Sequence, residues 1–144
     1  LEALGETEAL AFVRRPESAA EAYVAMVEEN EIRANLSFYE RAAIAWEATD
    51  AGVFPDAGQA VAQLFGSAPA AKRWKIHKFG TIHALLGDVL SFPEAIPEKL
   101  GLALVDRLES DLPFFRRLKD RLRKTPAPDA VAERAVLEKV LREG

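Results

Sequence analysis

The side chains best suited to chemistry lie in one stretch without acids, residues 57–87. It holds four cations, Lys72, Arg73, Lys75 and Lys78, and no Asp or Glu. Guanidinium and ammonium groups are the ones that reach phosphate oxygens and guanine edges in nucleic acids. A basic face that is merely solvated is the alternative, because such helix faces are common. The absence of any acid over the whole stretch favours a nucleic-acid-binding surface.

The local pattern of this stretch outlines a helix-turn-helix. A short helix over residues 57–65 ends at Gly66, and a turn through Pro69 leads into a longer helix that ends near Gly87. The glycine at position 66 is expected to take the left-handed backbone of the turn. The apolar residues of the second helix begin at Ile76, four residues later than in the standard motif. A lengthened turn is therefore expected.

Winding the second helix at about 100° per residue separates its two sides. One side carries Ile76, Phe79, His83 and Leu86, and the other carries Arg73, Trp74, His77, Lys78 and Thr81. The candidates for contact with DNA base edges are Arg73, His77 and Lys78. The candidates for contact with the DNA backbone are Gln59, Ser67, Lys72 and Lys75. Trp74 is more typical of packing or of a partner contact than of base stacking.

A second group of cations lies nearer the C-terminus, around the helix-spaced pair Leu118 and Leu122. Its members are Arg116, Arg117, Lys119, Arg121, Arg123 and Lys124, interrupted by Asp120. One interpretation is a solvated helix with a narrow packing stripe. The other is a helix that contacts phosphates and adds sequence-independent, salt-sensitive affinity. The pattern leaves both interpretations open.

Composition limits the remaining function classes. The 144 residues are 49% hydrophobic and carry a net charge of −4, which is typical of a globular chain. Residues 1–60 hold 12 acids and 4 bases, whereas residues 61–144 hold 11 acids and 15 bases. The absence of cysteine excludes disulfides, thiol catalysis and thiolate metal sites. No run approaches ~20 apolar residues, so no membrane partner is expected.

Enzyme signatures are missing from the sequence. It contains no Gly-x-Ser-x-Gly, P-loop, Gly-x-Gly-x-x-Gly or His-Glu-x-x-His motif. The two histidines, His77 and His83, are six residues apart and do not share one helix face as paired metal ligands do. We therefore expect no enzyme activity, no catalytic residue and no metal site in this chain.

Spacing and capping signals predict a mainly α fold, a helical bundle that contains the helix-turn-helix. The one strand-like run, residues 9–13, is expected to be a short N-terminal strand–helix remnant of an upstream domain. Further helices are predicted over residues 17–31, from the capping box Ser37–Glu40 to Gly52, over 98–108, over 112–124 after Asp111, and after Asp129. Residues 125–128 are predicted to be a linker.

One segment resembles a known family. Residues 28–42 resemble the third sequence box of ParB-type partition proteins, with a Glu-Asn pair, an arginine and then Leu-Ser-x-x-Glu-x-Ala. The helix-turn-helix and the segment FPEAIPEKLGLAL follow at the expected distances. The plasmid RepB/ParB branch, with its longer turn and basic AKRWKI helix, is the most similar. The resemblance covers roughly residues 1–110.

The resemblance implies a role in plasmid partition or chromosome segregation. Proteins of this family bind a centromere-like site on double-stranded DNA, recruit a ParA-type ATPase and act as homodimers in the cytoplasm, at the nucleoid or plasmid. It also implies three domains: residues 1–36 as the C-terminal remnant of a nucleotide-binding domain, 37–110 as the DNA-binding domain and 111–144 as C-terminal helices.

The same resemblance implies a nucleotide site in the intact protein. Many family members bind CTP with magnesium, and Glu29, Asn30 and Arg33 match the residues that face the metal and the triphosphate. Residues 1–5 look like the helix that follows the family's phosphate-binding box. Because the chain starts at Leu1, we expect it to be a piece of a longer protein that lacks this box and binds no cofactor alone.

Two alternatives remain from the sequence. The first is a transcriptional repressor built on the same helix-turn-helix module. The second is a helical protein-interaction domain whose basic helices meet an acidic partner instead of DNA.

Overall fold

The computed structural model describes residues 16–143. Within that range the chain is mainly α-helical and contains no β-strand. The helices are α1 (Pro16–Arg33), α2 (Phe38–Asp50), α3 (Ala57–Leu64), α4 (Ala70–Leu86), α5 (Glu98–Ser110), α6 (Leu112–Lys124) and α7 (Ala130–Glu143), with one 3-10 turn at Pro93–Ala95. The prediction of a helical bundle is confirmed. The predicted strand at residues 9–13 and the helix at residues 1–5 lie outside the described residues.

Short polar side chains fix where several helices begin. Ser37 accepts a hydrogen bond from the backbone N–H of Glu40 at 3.1 Å, and the Glu40 carboxylate accepts one from the N–H of Ser37 at 2.9 Å. This reciprocal pair is the predicted capping box. Asp111 accepts from the N–H of Phe114 at 3.1 Å, and Asp129 starts α7 in the same way. The helix starts predicted from these residues are confirmed.

Helix α4 lies at the centre of the core, with α2 and α5 packed against it. Two glycines allow the close approach. A Cβ added to Gly80 of α4 would lie 2.0 Å from the Trp46 indole of α2. A Cβ added to Gly101 of α5 would lie 2.1 Å from the Phe79 ring of α4. These contacts bring the side chains of α2 and α5 to the edges of α4.

Helices α6 and α7 pack on α5. Their buried residues are Phe114, Leu118, Leu122, Leu137 and Val140. Glu133 of α7 is 2% exposed, and its two carboxylate oxygens accept the backbone N–H groups of Ser91 and Phe92 at 2.8 and 2.7 Å. This carboxylate therefore holds the segment after α4 in place. Among the helices described, none is both long and apolar enough to cross a membrane.

The backbone at Gly66 differs from the prediction. Gly66 does not have a positive φ; the described glycine that does is Gly52, at +82°, directly after α2. The turn after α3 is closed by a hydrogen bond from the N–H of Ala68 to the carbonyl of Phe65, at 3.0 Å. A Cβ on residue 66 would lie 3.0 Å from the Ala62 carbonyl oxygen. Glycine suits this position because the backbone of α3 is close, so the prediction of a left-handed turn residue was wrong.

Candidate nucleic-acid interface

The acid-free stretch folds into α3 and α4, which residues 65–69 connect. Val61 and Leu64 of α3 and Ile76 of α4 are all buried in the same core. Because both helices bury one side, apolar contacts fix their orientation. The outer side of α4 then faces the solvent. The side chain that stands out there is Trp74, which is 55% exposed.

The predicted division of α4 into two sides is confirmed for most of its residues. Ile76, Phe79 and Leu86 are fully buried, and Gly80 and Ile82 join them. His83 is half-buried, and its Nδ1 is hydrogen-bonded to the Tyr39 hydroxyl at 2.8 Å. Burial raises the pKa of Tyr39. On the outer side, Trp74, His77 and Ala84 are exposed and Thr81 is half-exposed.

Glu109 of α5 occupies part of the outer side of α4. One of its carboxylate oxygens lies 3.0 Å from the Lys78 ammonium, and the other accepts a hydrogen bond from the Thr81 hydroxyl at 3.2 Å. The Lys78 ammonium also lies 5.6 Å from the centroid of the Trp74 ring, a cation–π contact. The hydrogen bond from Lys78 holds the pKa of Glu109 below its ordinary value. Lys78 is therefore oriented by a neighbouring acid.

Three more of the predicted contact residues of α4, Lys75, Arg73 and His77, have partners inside the molecule. The Lys75 ammonium lies 2.8 Å from a carboxylate oxygen of Glu98 at the start of α5. Arg73 donates to the backbone carbonyl of Ala68 in the turn. The His77 ring centroid lies 5.5 Å from that of Trp46 on α2. Two acids of α5 thus offset part of the positive charge of α4, which has no acid of its own.

Gln59 and Ser67, the remaining backbone-contact candidates, are both exposed. Gln59 lies in the first turn of α3, where its backbone N–H donates to the Asp56 carboxylate at 2.8 Å. Ser67 lies in the connection between α3 and α4. The structure places both residues on the solvent side of the helix pair, but Asp56 adds a negative charge beside Gln59.

Helix α6 carries its cations in a different setting. Lys119 lies 3.7 Å from Asp88, Arg121 lies 3.5 Å from Glu143, and Lys124 lies 3.1 Å from Asp120. Three arginines, Arg116, Arg117 and Arg123, are exposed and form no ion pair with any residue that the structure describes. They border an open cleft of about 470 Å³ beside the Phe115 ring. Among the helices described, α6 is the one with three cations that form no ion pair.

The residues assigned to nucleotide and metal by resemblance lie on α1. Glu29 and Arg33 are exposed and pair with each other across one helical turn, at 3.5 Å. Asn30, which follows Glu29 in the sequence, is half-buried. Within residues 16–143, no three His, Asp or Glu side chains are grouped so that they could hold a metal ion. Glu29 and Asn30 offer two oxygen ligands, fewer than the six that magnesium takes.

An ion pair between a buried arginine and a half-buried glutamate, near the start of α4, was missed by the sequence analysis. Arg41 of α2 is 6% exposed, and its Nε and Nη2 donate to the two carboxylate oxygens of Glu31 at 2.8 and 2.6 Å. The hydrogen bond from Arg41, and more weakly the charge of Lys72, lower the pKa of Glu31. The pair borders a cleft of about 530 Å³ between α1 and the turn after α3. No sequence signal joins residues 31 and 41, because the break between α1 and α2 separates them.

Comparison with known proteins gives no further identification: no family model, no curated protein and no solved structure matches this chain. The resemblance to ParB-type proteins therefore rests on the residues quoted above.

Proposed function

We propose that this chain binds duplex DNA with sequence preference, with α4 lying in the major groove and α3 supporting it as a helix-turn-helix. The observation that carries this proposal is the outer side of α4. It presents Trp74, His77 and Thr81 to solvent on an acid-free helix whose opposite side is fully buried. A helix anchored in this way can place donors at base edges without moving its backbone.

The proposed contacts follow the position of each side chain on the helix pair. Arg73, His77 and Lys78 are the base-edge residues, because they lie on or beside the outer side. Gln59, Ser67, Lys72 and Lys75 contact the DNA backbone from the flanks.

Lys78 must exchange Glu109 for DNA on binding. This exchange costs little, since the two side chains are 30% and 43% exposed and pairs of that kind contribute about 0–1 kcal/mol. The existing ion pairs therefore do not oppose the proposed function strongly.

The biological setting that we propose is partition of a plasmid or chromosome, on the resemblance of residues 28–42. In that setting the target is a centromere-like, palindromic site bound by two copies, and a ParA-type ATPase is the partner. Binding of CTP and magnesium, with Glu29, Asn30 and Arg33, is a proposal for the intact protein, where Arg33 would exchange Glu29 for a phosphate. Repression of transcription by the same module is the alternative, and binding sites that overlap promoters would favour it.

A protein-interaction domain is a second candidate, and one observation favours it. Lys75 and Lys78 already pair with carboxylates of α5, and the exposed Trp74 lies beside them. A partner that presents acidic and aromatic groups would meet the same surface. Such a partner would bind in a salt-sensitive way but would give no preference among DNA sequences.

Selection of bound duplexes from a random pool tests the proposal. We expect the chain to enrich one sequence family at moderate salt. The variant His77→Ala/Lys78→Gln should lose about 1–3 kcal/mol of discrimination between the selected duplex and a scrambled one. Lys139→Gln, which removes an exposed cation from α7, is the control and should keep the discrimination. No enrichment by the unmodified chain would overturn the proposed function, and binding to an acidic peptide in its place would support the second candidate.

A further inference from the structure

The six cations of α6 fall into two classes. Lys119, Arg121 and Lys124 have acidic partners within 3.7 Å. The other three, Arg116, Arg117 and Arg123, are exposed and have no acidic partner among the residues described. An exposed arginine without a partner keeps its full positive field in solution.

The helix geometry turns these arginines away from the core. Phe114, Leu118 and Leu122 fill the buried side of α6. Arg116 and Arg123 are seven residues apart, so they lie on the same outer side, separated by about 10.5 Å along the helix axis. Residue 120 carries the one acid of this helix, and it is paired with Lys124. The outer side is therefore mainly positive, with Asp120 lying among the arginines and paired with Lys124.

The chemistry of this surface matches a phosphate backbone. Each guanidinium is a planar fork of N–H donors that fits two phosphate oxygens at once. Duplex DNA carries one negative charge per about 1.7 Å of its axis, so a row of this length faces several phosphates. The Phe115 ring, whose centroid is 5.5 Å from the Lys119 ammonium, forms one wall of the cleft beside the arginines. No Asn or Gln amide stands in this row, and its one carboxylate, Asp120, is paired with Lys124 at 3.1 Å.

We propose that α6 contacts the phosphate backbone of duplex DNA through Arg116, Arg117 and Arg123. This contact supplies affinity that is independent of sequence and sensitive to salt. The inference rests on the proposed function for its ligand, duplex DNA. It assigns a different task to a different helix, because reading of the sequence stays with α4.

Salt titrations of DNA binding test the inference. The variant Arg116→Gln/Arg117→Gln/Arg123→Gln is compared with the unmodified chain on the selected duplex and on a scrambled duplex, between about 50 and 200 mM salt. We expect the slope of log K against log salt to become shallower by about 2 to 3, since each phosphate contact contributes about 0.9. Affinity should fall by the same factor on both duplexes.

A charge-matched control separates position from net charge. Arg134→Gln/Lys139→Gln/Arg142→Gln removes three exposed cations from α7 and changes the net charge equally. This control should leave the slope unchanged. A second variant, Arg116→Lys/Arg117→Lys/Arg123→Lys, keeps the charges and should keep most of the slope. Circular dichroism and thermal melting check that every variant is folded.

The outcomes distinguish this inference from the proposed function. An unchanged slope in the α6 glutamine variant, an equal change in the α7 control, or a loss confined to the selected duplex would overturn the backbone contact. If the unmodified chain still prefers the selected duplex in that case, the proposed role of α4 stands. If the unmodified chain binds all duplexes alike and the α6 variant abolishes that binding, the role of α4 fails and the inference stands. No binding of any duplex overturns both.

Discussion

Helices α4 and α6 are both basic, but their cations have different partners in the fold. The four cations of α4 have no acid on their own helix, yet Glu98 and Glu109 of α5 pair with two of them. Helix α6 carries one acid in its own sequence, and still three of its arginines have no ion-pair partner in the described chain. The ion-paired fraction is one half on both helices. Because Arg73 also donates to the Ala68 carbonyl, three of the four cations of α4 have a partner in the fold, against three of six on α6.

The difference shows that the number of cations on a helix does not measure the charge available to a partner. An ion pair fixes where a side chain points and reduces its field, whereas an unpaired arginine keeps its field and its freedom. Fixed side chains suit selective contact with base edges. Free arginines suit contact with a repeating phosphate backbone. The two helices therefore divide into a reading surface and an electrostatic one under the proposed function.

The largest predicted loss of stability is at the ion pair of Glu31 and Arg41, because Arg41 is the buried cation of the described chain. Glu31→Gln should lower the free energy of unfolding by about 2–3 kcal/mol, because it leaves the buried Arg41 guanidinium without its full counter-charge. Denaturant unfolding of both chains at neutral pH measures this difference.

The matched control is Glu29→Gln, which breaks an i,i+4 pair on the same helix. Its two side chains are 66% and 74% exposed, so the loss should stay below about 0.5 kcal/mol. Equal losses in the two variants would contradict the claim that burial of the partner decides what a pair contributes. That result would also remove the physical basis for contrasting α4 with α6.

The same pair predicts a pH dependence of stability. Arg41 lowers the pKa of Glu31 below its ordinary value of 4.5, so the contribution of the pair is complete above pH 4.5. It is lost as the pH falls through the lower pKa of the folded state. The difference in unfolding free energy between the unmodified chain and Glu31→Gln should therefore shrink as the pH falls below 4.5. A difference that stays constant or grows toward acid pH would contradict the pairing.

Local signals in the sequence predicted the helices well. Ser37, Asp111 and Asp129 each begin a helix as predicted, because a cap involves only residues within one turn. The buried side of α4 was also readable, since Ile76 and Phe79 repeat at helical spacing. These features depend on neighbours along the chain, and no tertiary contact is needed to place them.

The partners of the cations were not predictable in the same way. Glu109 meets Lys78 across 31 positions, and only the packing of α5 on α4 brings them together. That packing depends on Gly101, whose significance appears once the Phe79 ring lies against it. Gly66 was misread for a local reason, because the sequence pattern does not show how close the Ala62 carbonyl, one turn earlier, lies to this position. Tertiary contact decides which charges are free, and a single sequence does not encode it locally.

The smallest predicted effect is on DNA affinity, when a variant removes the acid that pairs with a cation of α4. Glu109→Gln removes the acid that holds Lys78 and Thr81. Because Lys78 no longer has to leave a carboxylate, affinity for duplex DNA should rise by up to about 5-fold, or up to about 1 kcal/mol. The salt slope should change little, because Lys78 is assigned to base edges and gains no phosphate contact. Fluorescence anisotropy at several salt concentrations measures both quantities.

Glu138→Gln separates this local effect from the change in net charge. It removes an acid that pairs with Arg134 on α7, at 3.2 Å, and alters the total charge by the same amount. If both variants raise affinity equally, the added charge acts at long range and the pairing of Lys78 has no special role. If Glu109→Gln lowers affinity, Glu109 orients Lys78 for binding and does not compete with DNA. A gain in DNA affinity that is confined to Glu109→Gln would show that the ion pair limits binding by Lys78. The difference between α4 and α6 would then lie in the acids that fold against each helix.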